Sequence, residues 1–454
     1  VSNLAAILWH YAAAKRNARR WRSRAELEAW QDRAVQKHLA RILPRSPFYR
    51  QLYAGRSLSG WREFPTVSKT EMMASFDNWN TVGIRREAAV AVALKAEISR
   101  DFAPMIGNIT IGLSSGTSGS RGLFLVSPSE RHAWAGNLLA KILPGGLFEH
   151  QRAALCFRAN SNLYGSVKSR RFQFGFFDLL ETPEKLAQKL GEFQPTLLIA
   201  PPAMLRLLAE EKRAGRLKIQ PTRIFSVAEV LEPQERAAIE KQFGQRLHEI
   251  YQATEGFLAT TCAHGTLHLN EDGLVVQKEW LDRAQKKFTP VITDFRRTTQ
   301  PVLRYRLNDI LTERDAPCPC GSIFTALEKI EGRCDDLLRL TSTQPGGTIS
   351  IFPDFIRRAV ITADDTITEY SVTQRPDGKL EIALEVPRET RARAEQSVRA
   401  GFASLCETHR CRCPEIIFVL FVTPSLNVKR RRVQLVENSA APLKQCRNII
   451  DSGT

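Results

Sequence analysis

Four short strings carry side chains suited to nucleotide chemistry. The first, SSGTSGSRG at positions 114–122, follows a β-rich run at 109–113. Such a Gly/Ser/Thr loop can wrap a polyphosphate: glycines let the backbone approach, amides turn inward, and hydroxyls donate to phosphate oxygens. It is not a P-loop, because no Gly-Lys-Ser/Thr ending is present. A surface loop can have the same composition, so the string decides nothing alone. The second, EIYQATEG at 249–256, offers Tyr251 as a flat face for a nucleobase, Thr254 as a phosphate donor and Glu255 as a magnesium ligand. The third, LRYRLND at 303–309, ends on Asp309, whose carboxylate can accept from both hydroxyls of a ribose. The fourth, IEGRCDD at 330–336, holds Arg333, Asp335 and Asp336. Taken singly, each of the last three is also an ordinary strand end.

A different chemistry is written in Cys318-Pro319-Cys320-Gly321, a tight turn with two thiols, and in CAHGTLH at 262–268. Two thiols from one turn with a thiol and an imidazole from another suit a tetrahedral zinc ion. His264 and His268 both offer the imidazole. The nine cysteines are odd in number, and a chain of this length needs no disulfide framework, so free thiols or metal ligands are expected. Cys411-Arg412-Cys413 has only His409 near it and reads as non-metal.

The elements that must position these residues alternate. Between about 100 and 335, β-rich runs at 109–113, 123–126, 196–200 and 223–227 interleave with helical stretches at 129–143, 183–193, 203–214 and 232–243. That alternation predicts a layered α/β domain. Residues 1–50 read as helical, and Ser68 is placed to cap a helix starting at Lys69. After Asp336 the pattern becomes strand, helix, strand, strand, helix, strand. A hairpin is expected around Pro376-Asp377-Gly378, a helix over 390–408 and a buried strand over 416–422. The fold class is therefore α/β: a large layered N-terminal domain, 1–333, plus a small α+β C-terminal domain, 334–454.

At 454 residues, with 43% hydrophobic and 25% charged residues, the composition is that of a globular protein. No apolar run reaches the ~18 residues of a membrane span. The cations Lys15, Arg16, Arg19 and Arg20 follow the apolar start, the reverse of a secretory signal, so a cytoplasmic location is expected. The net charge of +17 is concentrated at the ends. Residues 1–50 hold 11 Lys and Arg against three Asp and Glu, and 388–454 hold 12 against six. Basic ends suit an anionic ligand or an acidic partner protein. No base-reading motif accompanies them, so nucleic acid is not an expected partner.

The order of the strings is more specific than any one of them. Together they resemble the adenylate-forming superfamily of acyl-CoA synthetases, adenylation domains and luciferases, and more closely its branch holding phenylacetate–CoA ligase and the coenzyme F390 synthetase type. The resemblance spans about 30–436. RSPFYRQLY at 45–53 is similar to the branch's VPFYR, and FPTVSKTEM at 64–72 to its LPFTTKEDL. The 114–122 loop resembles SSGTTGKP, 251–255 resembles YGLSE, and 304–309 resembles RYRTRD. GRCDD at 332–336 resembles GRxDD, and GTISIFP at 347–353 resembles GVNVFP.

The resemblance implies ATP-dependent activation of a carboxylic acid, an aryl acid by the branch, to an acyl-adenylate, then transfer to coenzyme A or carrier-protein phosphopantetheine. It implies that Ser114, Ser115, Gly116, Thr117, Ser118 and Gly119 hold the β- and γ-phosphates. Ala228 and Glu229 would edge the adenine against Tyr251. Thr254 would contact the α-phosphate, Glu255 bind Mg²⁺ and Asp309 take the ribose, with Arg333 beside it. Asp335 or Asp336 would be the hinge of a mobile lid. The VKRRRV string at 428–433 resembles GKxxRV, which makes Lys429 the cation between α-phosphate and attacking carboxylate. The branch's EC…GLH and CxCGR select Cys262, His268, Cys318 and Cys320 as structural zinc ligands, with His264 as substitute. A homodimer is compatible with it. Phe172, Phe174, Phe176 and Phe177 read as core, or else as the wall of an acid pocket. Three positions depart from the branch: Ser120-Arg121 for Lys-Pro, Gln252 for Gly and Val428 for Gly. Nucleotidyl transfer to a non-acid acceptor, acyl transfer to an amine, or a nucleotide-binding scaffold without turnover are the rival readings.

Overall fold

A computed structural model describes residues 3–99, 103–113, 122–143, 146, 149–157, 171–179, 181–333, 337–345, 347–422 and 431–436. The chain divides into two compact units. The first comprises Val1–Glu279, Thr289–Leu307 and Glu313–Lys329, and the second Trp280–Phe288, Asn308–Thr312 and Ile330–Thr454.

Five parallel strands form the centre of the first unit. In spatial order they are Phe172–Asp178, Gln151–Phe157, Leu197–Ala200, Arg223–Val227 and Leu247–Ala253. Leu197–Ala200 is buried throughout, as a strand covered on both faces must be. The helices Pro183–Phe193, Pro202–Arg213 and Pro233–Phe243 supply the crossovers that parallel pairing requires. After Leu247–Ala253 the chain turns back antiparallel through Gly256–Thr261 and Leu267–Leu269. A separate antiparallel sheet pairs Met105–Ile106, Ile109–Leu113 and Leu123–Val126, and the 114–122 string joins its last two strands.

Helix starts are legible in the sequence. Ser68 and Ser127 close capping boxes with Glu71 and Glu130, on Lys69–Ala74 and Pro128–Ile142. The helix Asn3–Asn17 packs on Pro128–Ile142 at Gly136, where a Cβ would lie 2.5 Å from the Ile7 carbonyl oxygen. Ile7, Leu139, Leu155, Phe172 and Phe225 share one core there, with Phe174 against it, and Phe177 is also buried. Core packing thus accounts for three of the four phenylalanines of the 172–177 segment.

The second unit is an α+β layer pair. Its sheet runs Ile416–Leu420, Leu380–Glu385, Glu369–Gln374, Val433–Leu435. Pro353–Ile361 and Arg391–Thr408 supply Ile356, Val398 and Phe402 to a core with Val372 and Ile382. The hairpin at Pro376-Asp377-Gly378 is present, closed by the Arg375–Lys379 backbone bond. One expectation is corrected: 416–422 is not a buried strand. Ile416–Leu420 is the sheet's edge among the described residues, and Leu420 and Val422 are each 80% exposed. An apolar run alone does not separate an edge strand from a central one. Among the described residues no helix is long and apolar enough to cross a membrane.

Candidate active site and cysteine–histidine cluster

The 251–255 string lies where the parallel sheet ends. Leu247–Ala253 returns as Gly256–Thr261 through a tight turn made of Thr254 and Glu255, with a register shift between Tyr251 and Gln252. Open α/β sheets bind ligands outside the carboxyl ends of their strands, and this turn sits at such an end. Both oxygens of Glu255 are held. The Tyr305 hydroxyl donates to Oε1 at 2.8 Å, and the Thr254 hydroxyl donates to Oε2 at 2.8 Å. Arg297 Nη1 donates to the Thr254 carbonyl at 2.6 Å.

Tyr305 is itself fixed. Its strand, Val302–Arg306, bulges against Lys287–Asp294, and Arg304 adopts φ of 50°, a left-handed conformation a non-glycine residue holds only at a cost of ~1–3 kcal/mol. Arg304 is anchored by donation to the Phe64 carbonyl (2.9 Å) and Gln277 Oε1 (2.6 Å). Val67 bridges the same strand, donating to Arg304 O and accepting from Arg306 N. The 64–72 string therefore braces the tyrosine that holds Glu255.

Ala228 and Glu229 follow the strand Arg223–Val227. The register of Val227 opposite Ile250 brings them alongside the buried Tyr251. Ala228 has φ of 72°, also left-handed. In the second unit, Arg333 Nε lies 3.7 Å from Asp309 Oδ1, with both side chains part-exposed. The structure thus groups Tyr251, Ala228, Glu229, Thr254 and Glu255 in one unit and pairs Asp309 with Arg333 in the other. Ser114, Ser115, Gly116, Thr117, Ser118, Gly119, Ser120, Arg121, Asp335, Asp336, Val428 and Lys429 lie outside the described residues.

Three site residues were not assigned roles by sequence reasoning: Tyr305, Arg297 and Gln300. With Gly122, Thr254 and Glu255 they line one cleft. Only Tyr305 had a signal, its place between two arginines of the 303–309 string. Glu130 supports the group from below, accepting from Thr298 N (2.5 Å) and Thr299 N (2.8 Å). Burial opposes its ionisation, but Arg297 and the backbone donors hold its carboxyl below the ordinary range.

Cys262, His268, Cys318 and Cys320 meet with all four ligand atoms within 4.8 Å of one another. Cys262 Sγ is 3.6 Å from Cys318 Sγ, and Cys320 Sγ is 3.4 Å from His268 Nε2. His268 Nδ1 is 3.1 Å from the Phe324 carbonyl, a contact that puts the proton on Nδ1 and leaves Nε2 facing the sulfurs. Both turns need glycine: Gly265 (φ 86°) and Gly321 (φ 71°) let the chain reverse. His264 is exposed and stands outside the group. Burial raises the Cys318 thiol, yet Thr266, the Cys320 backbone and His268 bring it down to about 6. Burial and the neighbouring sulfurs push Cys320 up.

No family model matches the chain. It is 21% identical over 393 residues to the phenylacetate-coenzyme A ligase of Thermus thermophilus, covering 79% of this chain and 81% of that protein. Among solved structures, a 2-hydroxyisobutyryl-CoA ligase in the postadenylation state, in complex with 2-HIB-AMP, superposes with a TM-score of 0.69 at 17% identity. The match covers 96% of this chain and 94% of that one. The chain has the fold of the adenylate-forming ligases. An acyl acid amido synthetase is similar over 94% of this chain and 93% of its own, at a TM-score of 0.57 and 13% identity. The phenylacetate-coenzyme A ligase and the 2-hydroxyisobutyryl-CoA ligase are proteins of the kind to which the motif order pointed, and the fold has the expected large α/β part and small α+β part.

Proposed function

We propose that the protein is an ATP-dependent acid–thiol ligase. It joins a carboxylic acid to AMP, releasing pyrophosphate, and passes the acyl group to the thiol of coenzyme A or a carrier-protein phosphopantetheine. The observation that carries this reading is the Thr254–Glu255 turn. A hydroxyl and a carboxylate, both pinned, stand at the carboxyl end of a parallel sheet on the adenylate-forming fold.

In this reading the domain of 1–333 binds ATP and acid, and 334–454 is the lid, hinged at Asp335 or Asp336. Ser114, Ser115, Gly116, Thr117, Ser118 and Gly119 hold the β- and γ-phosphates. Tyr251, Ala228 and Glu229 border the adenine, and Asp309 takes the ribose hydroxyls with Arg333 beside it. Thr254 contacts the α-phosphate. The acid carboxylate attacks the α-phosphorus in line with the departing pyrophosphate. Two anions must meet, so Lys429 lies between them and lowers their repulsion. No protein nucleophile is needed, since positioning and charge neutralisation carry the step. Glu255 would hold magnesium, which supplies further neutralisation of phosphate charge. The substrate is an aryl acid by branch resemblance. The basic ends suit an anionic thiol carrier in the cytoplasm.

The donor set Cys262, His268, Cys318 and Cys320 fits zinc. Three sulfurs and one imidazole nitrogen converge, and the imidazole's second nitrogen is already committed to a carbonyl. Four protein donors make the site structural. It joins the turn after Gly256–Thr261 to the turn at 318–321.

Acid-dependent exchange of labelled pyrophosphate into ATP tests the reading, run over aryl, aliphatic and amino acids with Lys429→Ala alongside. Exchange with one acid class, abolished in the variant, is expected. ATP binding without exchange for any acid would refute it.

A further inference from the structure

The strand that follows the Ser/Gly loop, Leu123–Val126, is tied to the Thr254–Glu255 turn by two side chains from a third segment. Gln300 Nε2 donates to the Leu123 carbonyl at 2.9 Å, and its Oε1 accepts from the Leu125 amide at 2.9 Å. The side-chain amide thus satisfies a strand edge as a neighbouring strand would. Gln300 is 3% exposed. Arg297 spans the remaining gap: Nη2 donates to the Leu125 carbonyl and to Gln300 Oε1, each at 3.2 Å, while Nη1 donates to the Thr254 carbonyl at 2.6 Å.

The segment bearing both residues is anchored on two sides. Glu130 holds the amides of Thr298 and Thr299. Thr81 Oγ1 donates to the Thr298 carbonyl at 2.6 Å, and Trp79 Nε1 to the Pro301 carbonyl at 2.8 Å. Movement of the strand therefore cannot leave the turn behind without breaking one of these bonds.

We propose that Arg297 and Gln300 are positioning residues for the nucleotide: they lock the strand leaving the loop and the Thr254–Glu255 turn into one register. This rests on the reading of loop and turn as the two phosphate-facing parts of the site. Neither residue is assigned contact with the reacting atoms. Arg297 acts through its forked geometry, since one planar guanidinium serves acceptors on both sides of the gap.

The test combines hydrogen–deuterium exchange with calorimetry of MgATP on the full chain, comparing wild type, Gln300→Met and Arg297→Lys. Gln300→Met keeps the volume and removes both strand bonds. Expected are about tenfold faster exchange in 123–126 and also in 253–257, and a Kd for MgATP raised about tenfold. The KM for the acid, read by pyrophosphate exchange, stays within about twofold of wild type. Arg297→Lys should move the same quantities the same way, because lysine cannot span the two carbonyls. Faster exchange confined to 123–126 with unchanged MgATP affinity would overturn the proposal. So would full retention of wild-type values in Arg297→Lys, or parallel loss of acid and nucleotide affinity. If both segments loosen together while wild type binds no MgATP, the link stands and the nucleotide reading of the site falls.

Discussion

The Tyr305 hydroxyl donates to Glu255 at 2.8 Å, across 50 residues of sequence, and Thr254 takes the other carboxylate oxygen. Glu255 is thereby oriented before any ligand arrives. Tyr305→Phe removes that one bond and little volume. Pyrophosphate exchange should lose about tenfold in kcat, with the acid KM nearly unchanged and stability lower by about 1 kcal/mol. Exchange within twofold of wild type would show that the phenol does not orient the carboxylate.

Arg24 forms a two-pronged pair with Glu271, Nη1 to Oε2 and Nη2 to Oε1 at 2.6 Å each. Glu271 is 1% exposed and also accepts from the Thr325 amide at 2.6 Å. Arg24→Met leaves a buried carboxylate without its cation. A loss of roughly 3 kcal/mol in denaturant unfolding is expected, and Glu271→Gln added to it should recover at least half. Equal losses in single and double variants would mean that helix packing, not charge, sets the effect.

What the sequence made legible follows the range of the forces involved. Strand–helix alternation and the Ser68 and Ser127 caps are local, so periodicity and spacing reveal them. The Thr254–Glu255 turn was legible because hydroxyl, carboxylate and aromatic are adjacent in one string. The side chains that fix the turn were not. Arg297 reaches Leu125 over 172 positions, and Gln300 reaches Leu123 over 177. A glutamine that stands in for a β-strand has no local signature. The Ile416–Leu420 strand shows the converse: its apolar run is local, but what faces it is not, so its exposed end was unreadable.

The four converging donors of Cys262, His268, Cys318 and Cys320 lead to a metal prediction. Protein purified without chelator should carry about one zinc per chain by elemental analysis. Cys318→Ser with Cys320→Ser should abolish it and lower the melting temperature by on the order of 5 °C. His264→Ala, which changes an exposed neighbour, should leave metal content intact. Zinc lost in His264→Ala and kept in the double variant would invert the ligand assignment.

His38 sets an acid limit on the fold. It is 5% exposed in the helix Arg24–Ile42, and its Nε2 has no hydrogen-bond partner among the described residues. Burial first, then the charge of Arg41, lowers its pKa from 6.5 to about 4, against a smaller opposing effect of the Arg297 backbone. The folded state therefore keeps the ring neutral where the unfolded chain protonates it. Below pH 6.5 the unfolded state binds the extra proton, so stability falls with decreasing pH and levels off near pH 4. From this group the whole window is worth about 3 kcal/mol, with about half of it lost between pH 6.5 and 5. His38→Gln should flatten that part of the stability–pH curve, leaving a residual slope from His248, which is lowered to about 4 by burial and by Arg223, Arg246 and Arg236. Urea unfolding at pH 7.5, 6 and 5 measures it. A wild-type curve that is flat from 7.5 to 5, or one unchanged by His38→Gln, would show that the buried ring accepts its proton without penalty.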